Sequence, residues 1–120
     1  MPQRYEVHYS EEAEEMLAMV KDRRVQTKLA DLVDGLALDP ELRGKPLMRD
    51  LFGFRSIRAI GQRYRIVYRV DPTTLQVVVY GLGLRKEGDR EDIYELMRRA
   101  VHPPVNPGVP APVPKPKKRR

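Results

Sequence analysis

The first forty positions carry apolar residues at the spacing of one short strand and two helices. Residues 5–9 alternate between apolar and polar, which predicts a half-buried strand, and Ser10 can cap a helix directly after it. Two apolar stripes with helical spacing follow, separated near residues 22–23, and the second ends before Asp39-Pro40. They predict an antiparallel helical hairpin. The stripes are Ala13, Met16, Leu17 and Val20, and then Val25, Leu29, Leu32 and Leu36.

The second half of the chain alternates with period two and predicts a sheet. Residues 63–70 place arginines on one face and apolar side chains on the other. The apolar face would pack on the helical hairpin, so the arginine face is expected to point outward. Residues 71–74 have turn chemistry, and residues 75–84 are a β-branched strand. The two faces of residues 63–70 carry Arg63, Arg65, Val67 and Arg69, and Tyr64, Ile66, Tyr68 and Val70.

Two glycines precede an arginine at the end of the last strand. Gly81 and Gly83 have the same strand parity as Arg85, so the sheet beside this arginine is predicted to be bare where something else can lie. Asp89 is predicted to cap a final helix that ends before Pro103. The apolar stripe of this helix is Ile93, Leu96, Met97, Ala100 and Val101. The order β-α-α-β-β-β-α predicts an α+β domain.

Composition divides the 120 residues into a folded domain, residues 1–102, and a Pro-rich basic tail, residues 103–120. From His102 onward the chain holds seven of its eleven prolines, five basic residues and no acid, so most of the formal net charge of +6 lies in the tail. Such a segment is expected to form neither helix nor ladder and to be disordered. Its charge predicts RNA binding that is independent of sequence and sensitive to salt.

The residues that commonly build metal sites and covalent sites are scarce. Cysteine is absent, which excludes disulfides and thiolate chemistry, and His8 and His102 are the only histidines. No metal and no cofactor is therefore expected. The sequence has neither a signal peptide nor an apolar run long enough to span a bilayer, so a cytoplasmic protein without a membrane partner is expected.

Positive charge is concentrated between residues 43 and 69. Asp50 is the one acid there, while the segments on either side carry more acids than bases. Arginine binds phosphate through a planar, permanently charged fork, so the stretch predicts a surface for a polyanion or a phosphate. A solvated sheet edge that is guarded against aggregation is the alternative. The bases are Arg43, Lys45, Arg49, Arg55, Arg58, Arg63, Arg65 and Arg69.

Three short motifs lie in order between residues 44 and 94. They are Gly44-Lys45-Pro46-Leu47 leading through Leu51-Phe52-Gly53 to Arg58, the strand Tyr64-Arg65-Ile66-Val67-Tyr68, and Gly83-Leu84-Arg85-Lys86 followed by Asp92-Ile93-Tyr94. In their order and spacing they resemble the RelE/ParE toxins of bacterial type II toxin–antitoxin systems. The likeness covers residues 4 to about 101. It implies an antiparallel sheet packed on an N-terminal helical hairpin, with a C-terminal helix.

The resemblance implies one of two activities on one fold. RelE-like toxins are ribosome-dependent endoribonucleases, also called mRNA interferases, whereas ParE-like toxins bind and poison DNA gyrase. The arginines favour the RelE-like activity, because cleavage by a 2′-hydroxyl builds negative charge on a phosphate that fixed guanidiniums can stabilise. A noncatalytic protein that binds RNA or the ribosome is a third possibility. A cognate antitoxin is the implied protein partner.

The same resemblance assigns site residues. Arg65 and Arg85 match its phosphate-binding and leaving-group residues, and Tyr94 matches the tyrosine that orients the substrate. Without the resemblance, Arg65 and Arg85 are surface arginines of a binding sheet, and Tyr94 is a residue of helix packing. The residues expected to bind RNA are Lys45, Arg55, Arg58, Arg63 and Lys86.

The sequence departs from the nuclease pattern at the general base. RelE-like toxins carry lysines on the first central strand, where this chain offers Arg55 and Arg58. A guanidinium stays protonated at ordinary pH and cannot efficiently remove a hydroxyl proton. The base is therefore left open between a ribosomal group, four side chains of this protein, and slow chemistry without an efficient base. The four side chains are Lys86, Glu87, Asp50 and Tyr94.

Two arginines that act on one phosphate must share a face of the sheet. Arg65 is therefore predicted to lie opposite Val79 or Gly81 of the last strand, which requires a hairpin loop with an odd number of residues around Pro72-Thr73.

Arg55 and Arg58 have opposite strand parity and would point to opposite faces of a regular strand. A bulge near Ser56-Ile57 is predicted to bring both guanidiniums to the basic face, because the helix side offers no visible partner for either of them.

Overall fold

The computed structural model describes residues 4–101 and the backbone of residues 116–118. The elements follow the predicted order β-α-α-β-β-β-α, with one short strand added before the three central strands and one near the C terminus. The predicted α+β class is therefore confirmed. The elements are β1 Glu6–Ser10, α1 Glu11–Ala18, α2 Arg23–Gly35, β2 Lys45–Pro46, β3 Arg55–Ala59, β4 Tyr64–Asp71, β5 Gln76–Leu84, α3 Ile93–Val101 and β6 Pro116–Lys118.

The six strands of the described residues form one sheet in the order β2-β3-β4-β5-β1-β6. The strands from β2 to β5 pair antiparallel, whereas β1 joins β5 in parallel with Val7 opposite Val77. Parallel neighbours need a long connection between them, and the helical hairpin provides the first part of it. The sheet is thus an antiparallel meander with the N-terminal strand added in parallel at its far edge.

One face of the sheet is covered by α1 and α2, as the apolar stripes predict. Ser10 caps α1 by accepting a hydrogen bond from the Ala13 amide at 3.1 Å, and its hydroxyl donates to the Tyr80 carbonyl at 3.2 Å. Asp22 caps α2 by accepting from the Arg24 amide at 2.9 Å. The buried core on this face consists of Tyr9, Ala13, Leu29, Val33, Leu36, Ala59, Ile66, Tyr68, Val77, Val79 and Leu82.

The opposite face is covered in part by α3 and by the 3₁₀ turn Arg49–Leu51. Val67 lies in the arginine face of β4 and is fully buried there. The prediction that this whole face points outward is therefore wrong, because Val67 gives α3 an apolar surface on which to pack. This second core consists of Leu51, Phe54, Val67, Ile93 and Met97.

The two glycines of β5 are where α3 approaches the sheet. A Cβ atom on Gly81 would clash with Met97 Sδ, and one on Gly83 would lie 3.4 Å from Ile93 Cδ1. The bare sheet predicted at these positions does exist. Its occupant is the C-terminal helix of the same chain rather than a ligand.

A β-bulge sets the register between β4 and β5. Asp71 faces Gln76, so the hairpin loop has four residues, and the pairing shifts between Val67 and Tyr68. Beyond the bulge Arg65 faces Gly83. The prediction of an odd loop with Val79 or Gly81 opposite Arg65 is therefore wrong. The loop has an even number of residues, and the extra residue lies inside β5 at the bulge. The shared face of Arg65, Gly83 and the Arg85 position is confirmed.

Part of the Pro-rich tail is a strand. Residues 116–118 pair antiparallel with β1 at the edge of the sheet, so the prediction that the tail forms no ladder is wrong for these three residues. Residues 102–115 and 119–120, on which the rest of the predicted disorder falls, lie outside the described residues. In the described part of the chain, no helix is both long and apolar enough to cross a bilayer.

Candidate active site

An open pocket of about 750 Å³ lies where the exposed end of the sheet meets the start of α3. Its size is typical of sites for small molecules or single nucleotides. Four cationic side chains and one carboxylate line it, so the field inside is positive. The ionisable and aromatic residues of its wall are Lys45, Arg58, Arg65, Arg85, Glu87 and Tyr94.

Three adjacent strands bring the arginines of this pocket together. Arg58 of β3 lies directly opposite Arg65 of β4, and Arg65 lies opposite Gly83 of β5. Arg85 follows one residue beyond the end of β5, where its amide donates to the Arg63 carbonyl at 2.8 Å. Like charges directly opposite each other destabilise a sheet. An anion bound between these arginines would relieve that repulsion.

The turn between β3 and β4 holds the first two arginines. Arg65 Nη1 donates to the Gln62 carbonyl and to the Tyr64 carbonyl, the second at 3.2 Å. Arg58 Nη1 donates to Gln62 Oε1 at 3.4 Å. The turn is strained, because Ile60 and Gln62 adopt positive φ angles of 51° and 73°. Strained backbone is often found where side chains must be held for function.

Arg85 is tied to a buried carboxylate. Its Nη1 lies 2.7 Å from Asp92 Oδ1, and Asp92 is only 2% exposed while Arg85 is 28% exposed. The bond to Asp92 raises the pKa of Arg85. Burial alone would raise the pKa of Asp92, but its bonds to Arg85 and to the Lys86 amide hold that pKa below its usual range. Arg85 is therefore a fixed, permanently charged group rather than a loose surface arginine.

Tyr94 lies in the first turn of α3 and reaches the pocket. Its hydroxyl is 2.9 Å from Ser56 Oγ of β3, and the Arg85 guanidinium carbon sits 4.7 Å from the centre of its ring. The half-buried ring also packs against the second core. Tyr94 thus supports helix packing and also forms part of the pocket wall.

The cap of α3 is Asp92 rather than the predicted Asp89. Asp92 Oδ2 accepts a hydrogen bond from the Tyr94 amide at 3.1 Å. Asp89 instead accepts from the Glu91 amide at 2.7 Å and closes a turn in the preceding loop. Both aspartates sit in an acidic run with the same capping chemistry, so the sequence alone does not separate them.

Of the residues predicted to bind RNA, Lys45 and Arg58 line the pocket, whereas Arg55, Arg63 and Lys86 do not. Arg55 lies on the other face of the sheet, opposite Tyr68. The pairing of β3 with β4 is regular, so the predicted bulge near Ser56-Ile57 is wrong.

Arg55 has partners that the sequence did not reveal. Its Nε donates to the Arg43 carbonyl and its Nη2 to the Gly44 carbonyl, both at 3.2 Å. The Tyr68 hydroxyl donates to carbonyls of the same segment, at 2.9 Å to Pro40 and 2.6 Å to Arg43. Arg55 therefore anchors the segment between α2 and β2.

Other bases of the stretch between residues 43 and 69 also have structural contacts. Arg43 Nε donates to the Leu38 carbonyl at 2.8 Å, and the Arg69 guanidinium lies 5.2 Å from the centre of the Phe54 ring. The positive surface that the sequence predicts is therefore smaller than the charge count suggests. In the described part of the chain, no group of three or more His, Asp or Glu side chains is placed to hold a metal ion.

Ser56 and Asp92 are site residues that sequence reasoning missed. Ser56 shares strand parity with Arg58, which was the available signal, but a lone serine in a strand has no chemistry that singles it out. Asp92 lies two residues before Tyr94, and its contact with Arg85 arises because the chain turns back between them.

No protein-family model and no curated protein matches this sequence. Solved structures of toxins do match it. A chain of the toxin–antitoxin complex RelBE2 from Mycobacterium tuberculosis is 30% identical with a TM-score of 0.63, over 69% of this chain and 93% of that chain. Because that relative is matched over nearly its whole length, the protein belongs to the RelE/ParE toxin superfamily.

Two more distant structures share the fold. The YoeB/ParE toxin from Agrobacterium tumefaciens is 21% identical with a TM-score of 0.58, over 68% of this chain and 99% of that chain. A mutant of the E. coli toxin RelE in the free state is 19% identical with a TM-score of 0.60, over 72% of this chain and 88% of that chain.

Proposed function

We propose that this protein is the toxin of a type II toxin–antitoxin system and acts as an endoribonuclease on messenger RNA at the ribosome. The observation that carries the proposal is the pocket that Arg58, Arg65 and Arg85 surround, with Tyr94 in its wall. Membership of the superfamily supports the role of toxin. The converging guanidiniums favour cleavage of a phosphodiester, because they match a phosphate in charge and in geometry.

The proposed reaction is an internal transfer at phosphorus. The 2′-oxygen of the RNA forms a bond to the adjacent phosphorus, and the bond from phosphorus to the 5′-oxygen breaks. The products are a 2′,3′-cyclic phosphate and a 5′-hydroxyl, once the departing oxygen takes a proton from water. Arg65 and Arg85 would stabilise the charge on the phosphoryl oxygens. Both are fixed before the substrate arrives, Arg65 by the turn carbonyls and Arg85 by Asp92, so little reorganisation is needed.

Glu87 is the general base in this proposal. Of the four candidate side chains, Glu87 and Tyr94 line the pocket, whereas Asp50 and Lys86 do not. A carboxylate can accept a proton at neutral pH, but a phenol must first lose its own. Glu87 would therefore take the proton of the 2′-hydroxyl as the new bond forms.

The remaining pocket residues would hold the RNA. Lys45 and Arg58 can neutralise neighbouring phosphates. The stacked pair of Arg85 and Tyr94 offers a surface against which a base can lie when it is turned out of its stack. None of these contacts requires a particular base, so the site suits an enzyme whose substrate is positioned by the ribosome.

A cognate antitoxin is the proposed protein partner. The relative from Mycobacterium tuberculosis was solved as a toxin–antitoxin complex. A protein that covers a pocket with four cations and one carboxylate should present acidic side chains to it. We expect the antitoxin to block the pocket and so to prevent both RNA binding and cleavage.

Controlled expression of Arg85 variants tests the proposal. Arg85→Ala should lower RNA cleavage by on the order of 10²–10³, as the loss of one fixed donor at a developing oxyanion does in other enzymes. Arg85→Lys should restore only part of the rate, because a point charge does not reproduce the planar fork. Arg24→Ala is the matched control, since Arg24 is an exposed arginine of α2 on the other side of the sheet.

Growth arrest, messenger RNA integrity and the amount of folded protein are measured for each variant. If Arg85→Ala arrests growth as strongly as the parent and messenger RNA stays intact, the endonuclease proposal is wrong. Gyrase inhibition, the alternative within the superfamily, would then take its place.

A further inference from the structure

Asp92 makes three bonds that join the two parts of the candidate site. Its Oδ1 accepts from Arg85 Nη1 at 2.7 Å and from the Lys86 amide at 2.5 Å. Its Oδ2 accepts from the Tyr94 amide at 3.1 Å. One carboxylate therefore fixes the end of β5, the arginine that follows it and the first turn of α3.

The burial of Asp92 makes these bonds obligatory. Asp92 is 2% exposed, and a charged carboxylate is stable there only because each oxygen has donors. If the guanidinium of Arg85 rotated away, the buried carboxylate would lose its ion pair and keep only its bonds to the two backbone amides. Arg85 also lies over the Tyr94 ring, so the same bond fixes the distance between the arginine and the aromatic wall.

Capping alone does not explain this arrangement. A helix cap needs only an oxygen near the first amides, which an asparagine supplies as well as an aspartate. The additional bonds to Arg85 and the Lys86 amide use the second oxygen and the charge. The loop between Arg85 and Asp92 also carries Asp89, which accepts a hydrogen bond from the Glu91 amide within its own turn and does not line the pocket.

We propose that Asp92 is the positioning residue of the active site, which orients Arg85 against the scissile phosphate and sets Tyr94 beside it. This role rests on the proposed RNA cleavage. Asp92 does not touch the substrate and transfers no proton. It acts through Arg85, so its removal should impair the chemical step more than the binding of RNA.

The test compares Asp92→Asn with Asp89→Asn, two identical changes in one loop. Asp92→Asn keeps a capping oxygen and removes the charge that holds Arg85. We expect its kcat for RNA cleavage to fall by about 10- to 100-fold, as a small misplacement of a catalytic group can cause, while KM changes less than about threefold. Asp89→Asn should keep both values near those of the parent.

A double-mutant cycle separates positioning from general damage to the fold. If Asp92 acts through Arg85, adding Asp92→Asn to Arg85→Ala should lower kcat by less than about threefold further, because the positioned group is already gone. A purely structural defect would multiply the two losses. Thermal unfolding of each variant shows that the compared proteins are folded.

Asp92→Glu is the second variant in case Asp92→Asn does not fold. Asp92→Glu keeps the negative charge but moves the carboxylate by one methylene group, so Arg85 is no longer held in the same position. The protein should therefore fold, with a reduced kcat and a nearly normal KM. The inference is overturned if the folded Asp92 variant cleaves RNA like Asp89→Asn, or if its loss multiplies fully with that of Arg85→Ala. If the parent itself leaves RNA intact, the proposed function is wrong and the positioning role is wrong with it.

Discussion

The two faces of the central sheet use the same side chain in opposite ways. Arg55 and Arg58 lie on one strand, three residues apart, and point to different faces. On the face of α1 and α2, Arg55 donates to two carbonyls of a distant loop and holds that loop in place. On the face of α3, Arg58 lies opposite Arg65 and beside a pocket. An arginine whose guanidinium donates to carbonyls of another segment has a structural role, as Arg55 does. An arginine that lies close to other positive charges beside a pocket is a candidate for anion binding, as Arg58 is.

This comparison shows why a count of basic residues overstates a binding surface. The stretch between residues 43 and 69 places three of its bases around the pocket, namely Lys45, Arg58 and Arg65. The fourth base of the pocket, Arg85, comes from outside the stretch. Function follows from which face a residue occupies rather than from its position along the chain.

The largest expected effect is the contrast between Arg65→Ala and Arg55→Ala. Arg65→Ala should lower RNA cleavage by on the order of 10²–10³, because it removes a fixed charge beside the phosphate. Arg55→Ala should leave the chemistry much less affected and lower the free energy of unfolding by about 1–3 kcal/mol, since it loses two hydrogen bonds from a charged donor. Single-turnover cleavage and urea unfolding measure the two effects. Equal losses of cleavage in both variants would show that the arginines on the two faces of the sheet do not have different roles.

The next effect concerns Gly44, which lies in the segment that Arg55 holds and also lines the pocket. Its φ is +65°, and a Cβ atom there would clash with the Ser56 carbonyl. Gly44→Ala should destabilise the fold by about 2–4 kcal/mol, from unfavourable backbone geometry and from overpacking against rigid backbone. Gly61→Ala is the matched control, because Gly61 has a φ of +59° with open space around it. Gly61→Ala should cost about 1 kcal/mol, and equal losses of stability in the two variants would argue against the steric explanation.

A smaller effect is expected at the contact between Ser56 and Tyr94. Either Ser56→Ala or Tyr94→Phe removes the hydrogen bond at 2.9 Å, so each should lower the free energy of unfolding by about 0.5–1.5 kcal/mol. The double variant should lose little more than either single variant, because both remove the same bond. Additive losses in urea unfolding would show that the two hydroxyls act separately.

The smallest effect is a change in stability at acid pH. The pKa of Asp92 is held low in the folded protein, because the bonds it accepts outweigh its burial. The folded state therefore gains stability from this carboxylate above the usual aspartate pKa of about 4, and loses it as the pH falls through the lower folded value. Asp92→Asn should flatten the acid limb of the stability curve below about pH 4. An unchanged acid limb would show that Arg85 does not stabilise the charged form.

The sequence predicts the elements of the fold well because their signals are local. The apolar stripes of α1 and α2, the Ser10 cap and the alternation of β4 each depend on neighbouring residues. Parity within β4 and within β5 does not fix the register between the two strands, so a shared face of Arg65 and Arg85 is required by the proposed chemistry and is not predicted by the pattern. The bulge leaves Tyr80 of β5 as the extra residue, directly before Gly81. A glycine inside a strand often marks a bulge, so this signal was available but did not fix the position of the bulge.

The parts of the site that the sequence does not predict depend on contacts between distant segments. The partners of Arg55 are carbonyls of residues 43 and 44, and carbonyls have no sequence signature. Asp92 and Asp89 have the same side chain and similar neighbours in the sequence. The conformation of the folded loop determines that Asp92, and not Asp89, contacts Arg85. The glycines of β5 predict that another group lies close to the sheet, but they do not identify this group. In the structure α3 occupies that place.

The most direct test of the central claim is the cleavage of messenger RNA by the purified protein on programmed ribosomes, with the chemistry of the cut ends determined. The account predicts cuts that leave a 2′,3′-cyclic phosphate and a 5′-hydroxyl, that are lost with Arg65→Ala and with Arg85→Ala, and that persist with Arg24→Ala. A supercoiling assay with DNA gyrase is run on the same preparations. Intact RNA together with inhibited gyrase would contradict the account.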